Sequence, residues 1–123
     1  MEYSLYHKLS QIALHERKAE LVLRNAMIAD VFTDEIRSAD IAVADGYIAA
    51  VGGSYEGTEE IDLNGKYVLP GFMDAHLHLE STMVTPNELI TAAALCGTTT
   101  FIVDPHEAAN VSGTEGIDYI LDQ

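Results

Sequence analysis

The sequence predicts an α/β plus β chain, in which a small sandwich-like N-terminal β domain precedes two βα units of a parallel sheet. Three observations predict it. Apolar runs of strand length recur between residues 20 and 69 with tight-turn pairs between them; the pattern changes at Pro70-Gly71; and a strand, a helix, a strand and a helix then follow in order. The chain accordingly divides into a helical segment at 1–19, the β domain at 20–69 and the βα units at 70–123.

Within residues 4–19, Leu5, Leu9, Ile12 and Ala13 recur at i, i+4, i+7 and i+8 among Lys8, Gln11, Glu16, Arg17 and Lys18, which suits a short amphipathic helix. Strands are expected over residues 20–28, 39–43, 47–51 and 66–69. Asp34-Glu35, Asp45-Gly46, Gly52-Gly53 and Asn64-Gly65 punctuate them. Asp-Gly and Asn-Gly tolerate the positive φ that two-residue hairpins require, so the expectation is an antiparallel sandwich or small barrel. In the second part, residues 71–75 read as a short buried strand. A helix is expected over 85–96, with Thr85 as N-cap, Pro86 at the first position, Glu88 completing a capping box and Gly97 as C-cap. Cys96 then reads as a small buried side chain on that helix. Residues 98–103 form the next strand, and 113–121 open a second helix.

Composition narrows the function classes. With 123 residues and 48% hydrophobic content, there is room for the core of one ordinary domain. Twenty acidic residues against 6 basic ones give a net charge of −14, which repels a phosphate backbone and excludes nucleic acid as a partner. The acids are dispersed, as on a solvated surface. Apolar runs such as 92–96 and 101–103 fall far below the roughly 20 residues of a bilayer span, so no membrane partner is expected. Residues 1–8 lack the basic and apolar regions of a secretory signal, and the one cysteine forms neither a disulfide framework nor a Cys-based zinc site. The expected compartment is the cytoplasm.

Chemistry concentrates at the two strand ends. His76-Leu77-His78 follows the strand 71–75, and residues at i and i+2 of an extended segment point to one side, so the two imidazoles converge. Such a pair suits a divalent metal, with Asp74 or Glu80 as ligand or supporting carboxylate. Asp104-Pro105-His106-Glu107 ends the next strand, and adjacent parallel strands bring their C-terminal ends together. His106 and Glu107 are therefore expected near His76 and His78.

The run Pro70-Gly71-Phe72-Met73-Asp74-Ala75-His76-Leu77-His78 resembles the first-strand metal motif of the amidohydrolase superfamily. Within it, the segments 80–86, 97–100 and 104–111 are similar to those of the adenine deaminases, and residues 40–52 to the small β domain that precedes the barrel in such enzymes. The resemblance covers about residue 20 onwards; Thr82 and Ala108 depart mildly from a common Ser and Ile. It implies a metal-dependent hydrolase in which residues 70–123 form the first two βα units of a TIM-like (β/α)8 barrel, with hydrolysis of adenine to hypoxanthine and ammonia as the reaction. The cofactor it implies is a divalent metal, Mn, Fe or Zn, in a binuclear centre. On this reading His76 and His78 are metal ligands, His106 and Glu107 are catalytic residues whose roles stay open between proton handling, substrate contact and a further ligand, and Glu80 and Asp104 bind substrate. The partner is the small-molecule substrate adenine, and a homo-oligomer is expected for the full-length enzyme.

A (β/α)8 barrel takes about 250 residues, and two of its eight strands cannot close. The expectation is a fragment, inactive alone. Two other readings compete: another amidohydrolase acting on cyclic amides, of dihydroorotase or imidazolonepropionase type, or a non-catalytic β-domain binding module.

Overall fold

The computed structural model describes residues 2–122, which divide into two compact units, Met1–Leu69 and Pro70–Gln123.

The first unit opens with α1 (Tyr3–Ala13), shorter than the expected 4–19. His15 takes φ 61, its N–H donates to the Ile12 carbonyl at 3.0 Å, and the Glu16 N–H donates to Gln11 at 2.8 Å. That pair of bonds is the Schellman ending of a helix, with histidine at the position glycine usually fills. The His15 ring stacks on Tyr55 at 4.9 Å between centroids, a contact that offsets the left-handed backbone. Lys8 ties α1 to the sheet by ion pairs of 2.7 Å to both Glu20 and Asp45.

Five strands follow: β1 (Ala19–Asp30), β2 (Glu35–Ala44), β3 (Tyr47–Gly52), β4 (Gly57–Asp62) and β5 (Tyr67–Val68). They form one mixed sheet rather than the expected antiparallel sandwich. The order is β3-β2-β1-β4, with β2 antiparallel to β1 and to β3, while β4 and β5 both run parallel to β1. Asp45-Gly46 closes the β2–β3 hairpin with φ of 50° and 74°, as the dipeptide predicts. Asn64-Gly65 has the same signs of φ but does not close a hairpin. It bridges two segments that continue alongside β1, and it sits against a bulge there: the Leu63 N–H donates to Arg24, the Gly65 N–H to Asn25, and the Met27 N–H to Lys66, at 2.9 to 3.0 Å. The core of the unit is Ile12 from α1 with Ala19, Val22, Ala42, Ala44 and Tyr55. Small side chains on β1 and β2 let the helix lie close to the sheet.

The second unit contains β6 (Phe72–Leu77), a single 3-10 turn (Glu80–Thr82), α2 (Pro86–Leu95), β7 (Thr98–Val103), α3 (His106–Ser112) and α4 (Thr114–Leu121). β6 and β7 pair in parallel, joined through α2, which is the βαβ arrangement the sequence predicts. Thr85 stands at the N-cap of α2 in extended geometry, without the expected side-chain cap bond. Cys96, expected to be buried, is exposed at the C-cap. α3 was not expected: Pro105 ends the extended segment and its fixed φ leads directly into a helical turn, so His106 and Glu107 begin a helix. Among the described residues no helix is long and apolar enough to cross a membrane.

Candidate metal centre

The register of β6 and β7 places Leu77 opposite Val103, so the residues that leave the two strands leave side by side. The Asp104 N–H donates to the Leu77 carbonyl at 2.9 Å and extends the pairing one step beyond β7. His76 is the penultimate residue of β6 and His78 follows the strand directly; their rings lie 4.9 Å apart, tilted by 52°. His106, in the first turn of α3, sets its ring edge-on to His78 at 4.9 Å. The three histidines and Asp104 therefore share one rim within the second unit, as the sequence predicts.

The structure also singles out Asp104. One ligand atom from each of His76, His78 and Asp104 lies within 4.8 Å of the others. Its carboxylate is 4.0 Å from His76 Nε2 and 3.3 Å from His106 Nδ1. Two imidazoles and a carboxylate are a donor set that fits Zn, Fe or Mn. Asp104, expected to contact substrate, has a carboxylate oxygen grouped with the ligand atoms of the histidine pair. The signal available for this was the strand register, which aligns residue 104 with the histidine pair.

The backbone fixes the tautomer of His78. Its Nδ1 is 3.1 Å from the Asp104 carbonyl oxygen, and since a carbonyl only accepts, Nδ1 carries a proton, which in a neutral imidazole leaves the lone pair on Nε2. A carbonyl or carboxylate behind the far nitrogen is the usual support of a metal-binding imidazole. Upstream, the Asp74 carboxylate accepts from the His76 backbone N–H at 3.1 Å, which occupies it with the turn out of β6.

Glu80 and Glu107 lie on the same side of the unit but do different things. Glu80 Oε1 accepts from the Ala108 N–H at 3.0 Å, and its Oε2 is buried without a partner among the described residues. The Ala108 N–H, with the N–H groups of Glu80 itself and Glu107, holds its carboxyl below the usual range against the opposing cost of desolvation. Glu107 receives long hydrogen bonds from the Ser81 hydroxyl, 3.4 and 3.5 Å, and its side chain is exposed. Ser81 escaped notice as a contributor because a hydroxyl in a turn carries no distinctive spacing.

Comparison with known proteins places this geometry. Residues 59–113 match the amidohydrolase family. The adenine deaminase of Desulfitobacterium hafniense is 60% identical over 94% of this chain and 20% of that protein, and the adenine deaminase of Ligilactobacillus salivarius 50% identical over 98% of the chain and 21% of its own length. Among solved structures, an N-acyl-D-glutamate deacylase from Bordetella bronchiseptica, in complex with zinc and a phosphonate inhibitor, superposes with a TM-score of 0.54 at 33% identity, covering 71% of this chain and 19% of the other. An L-hydantoinase from Arthrobacter aurescens gives 0.55 at 30% identity, over 71% and 21%. The chain spans about one fifth of the length of the curated relatives it matches, and over nearly all of its own length it is a homologue of the adenine deaminases, with a match to the amidohydrolase family.

Proposed function

We propose that this chain supplies one part of the metal centre of an enzyme that hydrolyses adenine to hypoxanthine and ammonia. The observation that carries the reading is the cluster of His76, His78 and Asp104 at paired parallel strand ends, in a chain 60% identical to an adenine deaminase. The site on this reading is the mouth of a (β/α)8 barrel whose first two strands are β6 and β7. His76 and His78 hold a divalent metal, Mn, Fe or Zn, in a binuclear centre, and Asp104 adds a carboxylate. A cation there would supply Lewis acidity, lowering the pKa of a water towards neutrality so that a nucleophile would exist near neutral pH.

The chain's own residues handle protons and orientation. Water adds at C6 of the purine, the C6–N bond breaks, and the amine leaves as ammonia after gaining a proton. His106 is the group placed to carry it, with the Asp104 carboxylate 3.3 Å from its Nδ1. Glu107, with acceptor capacity left beside its long Ser81 bonds, takes an N–H of the substrate. The exposure of His76 and His106 agrees with a site that further chain completes, and the whole enzyme is a soluble homo-oligomer of the cytoplasm on this reading.

The test measures metal content and ammonia release from adenine, for the 123-residue chain and for a longer form carrying a complete barrel, with added Mn or Zn. The longer form is expected to bind metal and turn over adenine, and His76→Ala in it to lose both. Metal binding with hydrolysis of hydantoin and none of adenine would move the assignment to the cyclic-amide hydrolases, a reading favoured only by the likeness to the L-hydantoinase. Turnover by the short chain alone would overturn the partial-site reading.

A further inference from the structure

Glu80 is the residue whose chemistry that mechanism leaves unused. It lies in the 3-10 turn after β6, two residues beyond His78, and its carboxylate meets the backbone of α3 at Ala108, near enough to His106 to feel its charge. α3 needs such a partner. Its N-cap is Pro105, which has no side-chain acceptor, and no side-chain cap bond is made from within its own segment. The first N–H groups of a helix lack intrahelical partners, so an acceptor from elsewhere has to meet them. Glu80 Oε1 does so at Ala108, 3.0 Å away, from 28 residues earlier in the chain. Next to it Ser81 Oγ donates to the Glu107 carboxylate at 3.4 Å. The two residues of one turn thus hold both the backbone and a side chain of the first helical turn that carries His106 and Glu107.

We propose that Glu80 is a positioning residue: by accepting the Ala108 N–H it fixes the start of α3, and with it the placement of His106 against Asp104 and His78. Glu80 acts through His106 and touches neither metal nor substrate. This rests on the assignment of His106 to proton transfer for its kinetic consequence, though not for its structural one. The orientation of the His106 ring relies on the same anchor: Asp104 stands 3.3 Å from Nδ1, and His78 contributes a ring edge rather than a hydrogen bond. Without the Glu80 bond, the 7-residue helix loses the fixed backbone on which that contact depends.

The experiment has two arms, each with Glu80→Ala and Glu80→Gln. In the first, amide hydrogen exchange is followed in the metal-loaded long form. Glu80→Ala is expected to raise exchange at Glu107, Ala108 and Ala109 at least tenfold while β1 and β2 keep their protection, and Glu80→Gln, which retains a carbonyl acceptor, is expected to restore most of it. Unchanged exchange in Glu80→Ala overturns the proposal. In the second, kcat and KM for adenine are measured with metal content. Glu80→Ala is expected to lower kcat about tenfold or more with KM and metal content unchanged, and Glu80→Gln to recover it. Loss of metal, or a rise in KM with kcat preserved, would make Glu80 a ligand or a substrate contact and overturn the positioning role. Should the wild-type protein ignore adenine, the substrate assignment fails while the exchange arm still decides the anchor.

Discussion

Arg24 shows how one side chain organises an irregular stretch of sheet. It sits at the bulge of β1, where the register with β2 slips between Leu23 and Ala26 and Asn25 takes φ 54. Its guanidinium donates to Glu60 through Nε and Nη2 at 2.7 Å each, to Asp40 at 3.0 Å and to the Tyr55 carbonyl at 2.8 Å. That two-pronged contact, with the Gly57 N–H as a further donor, holds the Glu60 carboxyl down at about 2 from an ordinary 4.5. A depressed carboxyl stabilises the fold above its unfolded pKa, and the contribution is lost as pH falls through the folded value. The melting temperature of the chain is therefore expected to drop between pH 4.5 and 2. Glu60→Gln is expected to start lower and lose less over that window, as followed by circular dichroism; an equal drop in both proteins would remove Glu60 from the account. Asp30 and Asp62, also held low by hydrogen bonds, keep part of the slope in the variant. None of this was legible from residue types, since an arginine among dispersed acids reads only as a solvated surface. His76 and His78, by contrast, were legible, because a two-residue spacing at a strand end fixes their side before any packing is known.

At the scale of elements, the strands that sequence found are those whose apolar content announces them, and the one it missed is β4. Residues 57–62 read Gly-Thr-Glu-Glu-Ile-Asp, and all but Gly57 are exposed. β4 is an edge strand, held by the ladder to β1 from Ala19–Gly57 to Arg24–Asp62 and by the Arg24 ion pair, so it needs no apolar face. Missing it turned a mixed sheet into an antiparallel one on paper. The same strand yields a sharp test. A Cβ on Gly57 would lie 2.5 Å from the Glu59 carbonyl oxygen and 2.9 Å from Cγ2 of the buried Val22. Gly57→Ala is expected to destabilise by about 1–3 kcal/mol in urea unfolding through forced overpacking. Gly46→Ala offers a contrast with a different cause: nothing lies within 4 Å of the new methyl, but φ is +74°. Its cost is expected to be about 1–2 kcal/mol, all of it backbone, so replacement by Asn is expected to recover most of the loss at Gly46 and none at Gly57. α3 was hidden for a related reason. Asp104-Pro105 reads as a turn, and the carboxylate that receives the helix start lies at Glu80, out of reach of any local pattern.

The molecule as a whole is unevenly finished. The first unit closes a core around Ile12 and Val22, while the second buries only Leu79 and Pro86 among the described residues. Phe72 is 60% exposed and Ile102 55%, on the two strands of a sheet with no further neighbour; Leu95 and Val111, on the helices, are each 87% exposed. Apolar surface of this extent, next to open strand edges, drives association in water. Runs such as 101–103 are of the kind carried by parallel strands that are covered on both faces. The 123-residue chain is thus expected to show concentration-dependent association in sedimentation velocity and to bind an apolar dye such as ANS. Phe72→Ser with Ile102→Ser is expected to weaken both signals. The net charge of −14 opposes close approach of two copies, so raising salt from 0.05 to 0.5 M is expected to strengthen association through screening. Salt that dissolved the aggregates instead would point to ionic contacts. A longer form that carries the remaining chain of its relatives has the means to cover these strands, and dye binding per molecule is expected to fall at least severalfold in it; equal dye binding in the two forms would mean that the surface stays open and serves another partner.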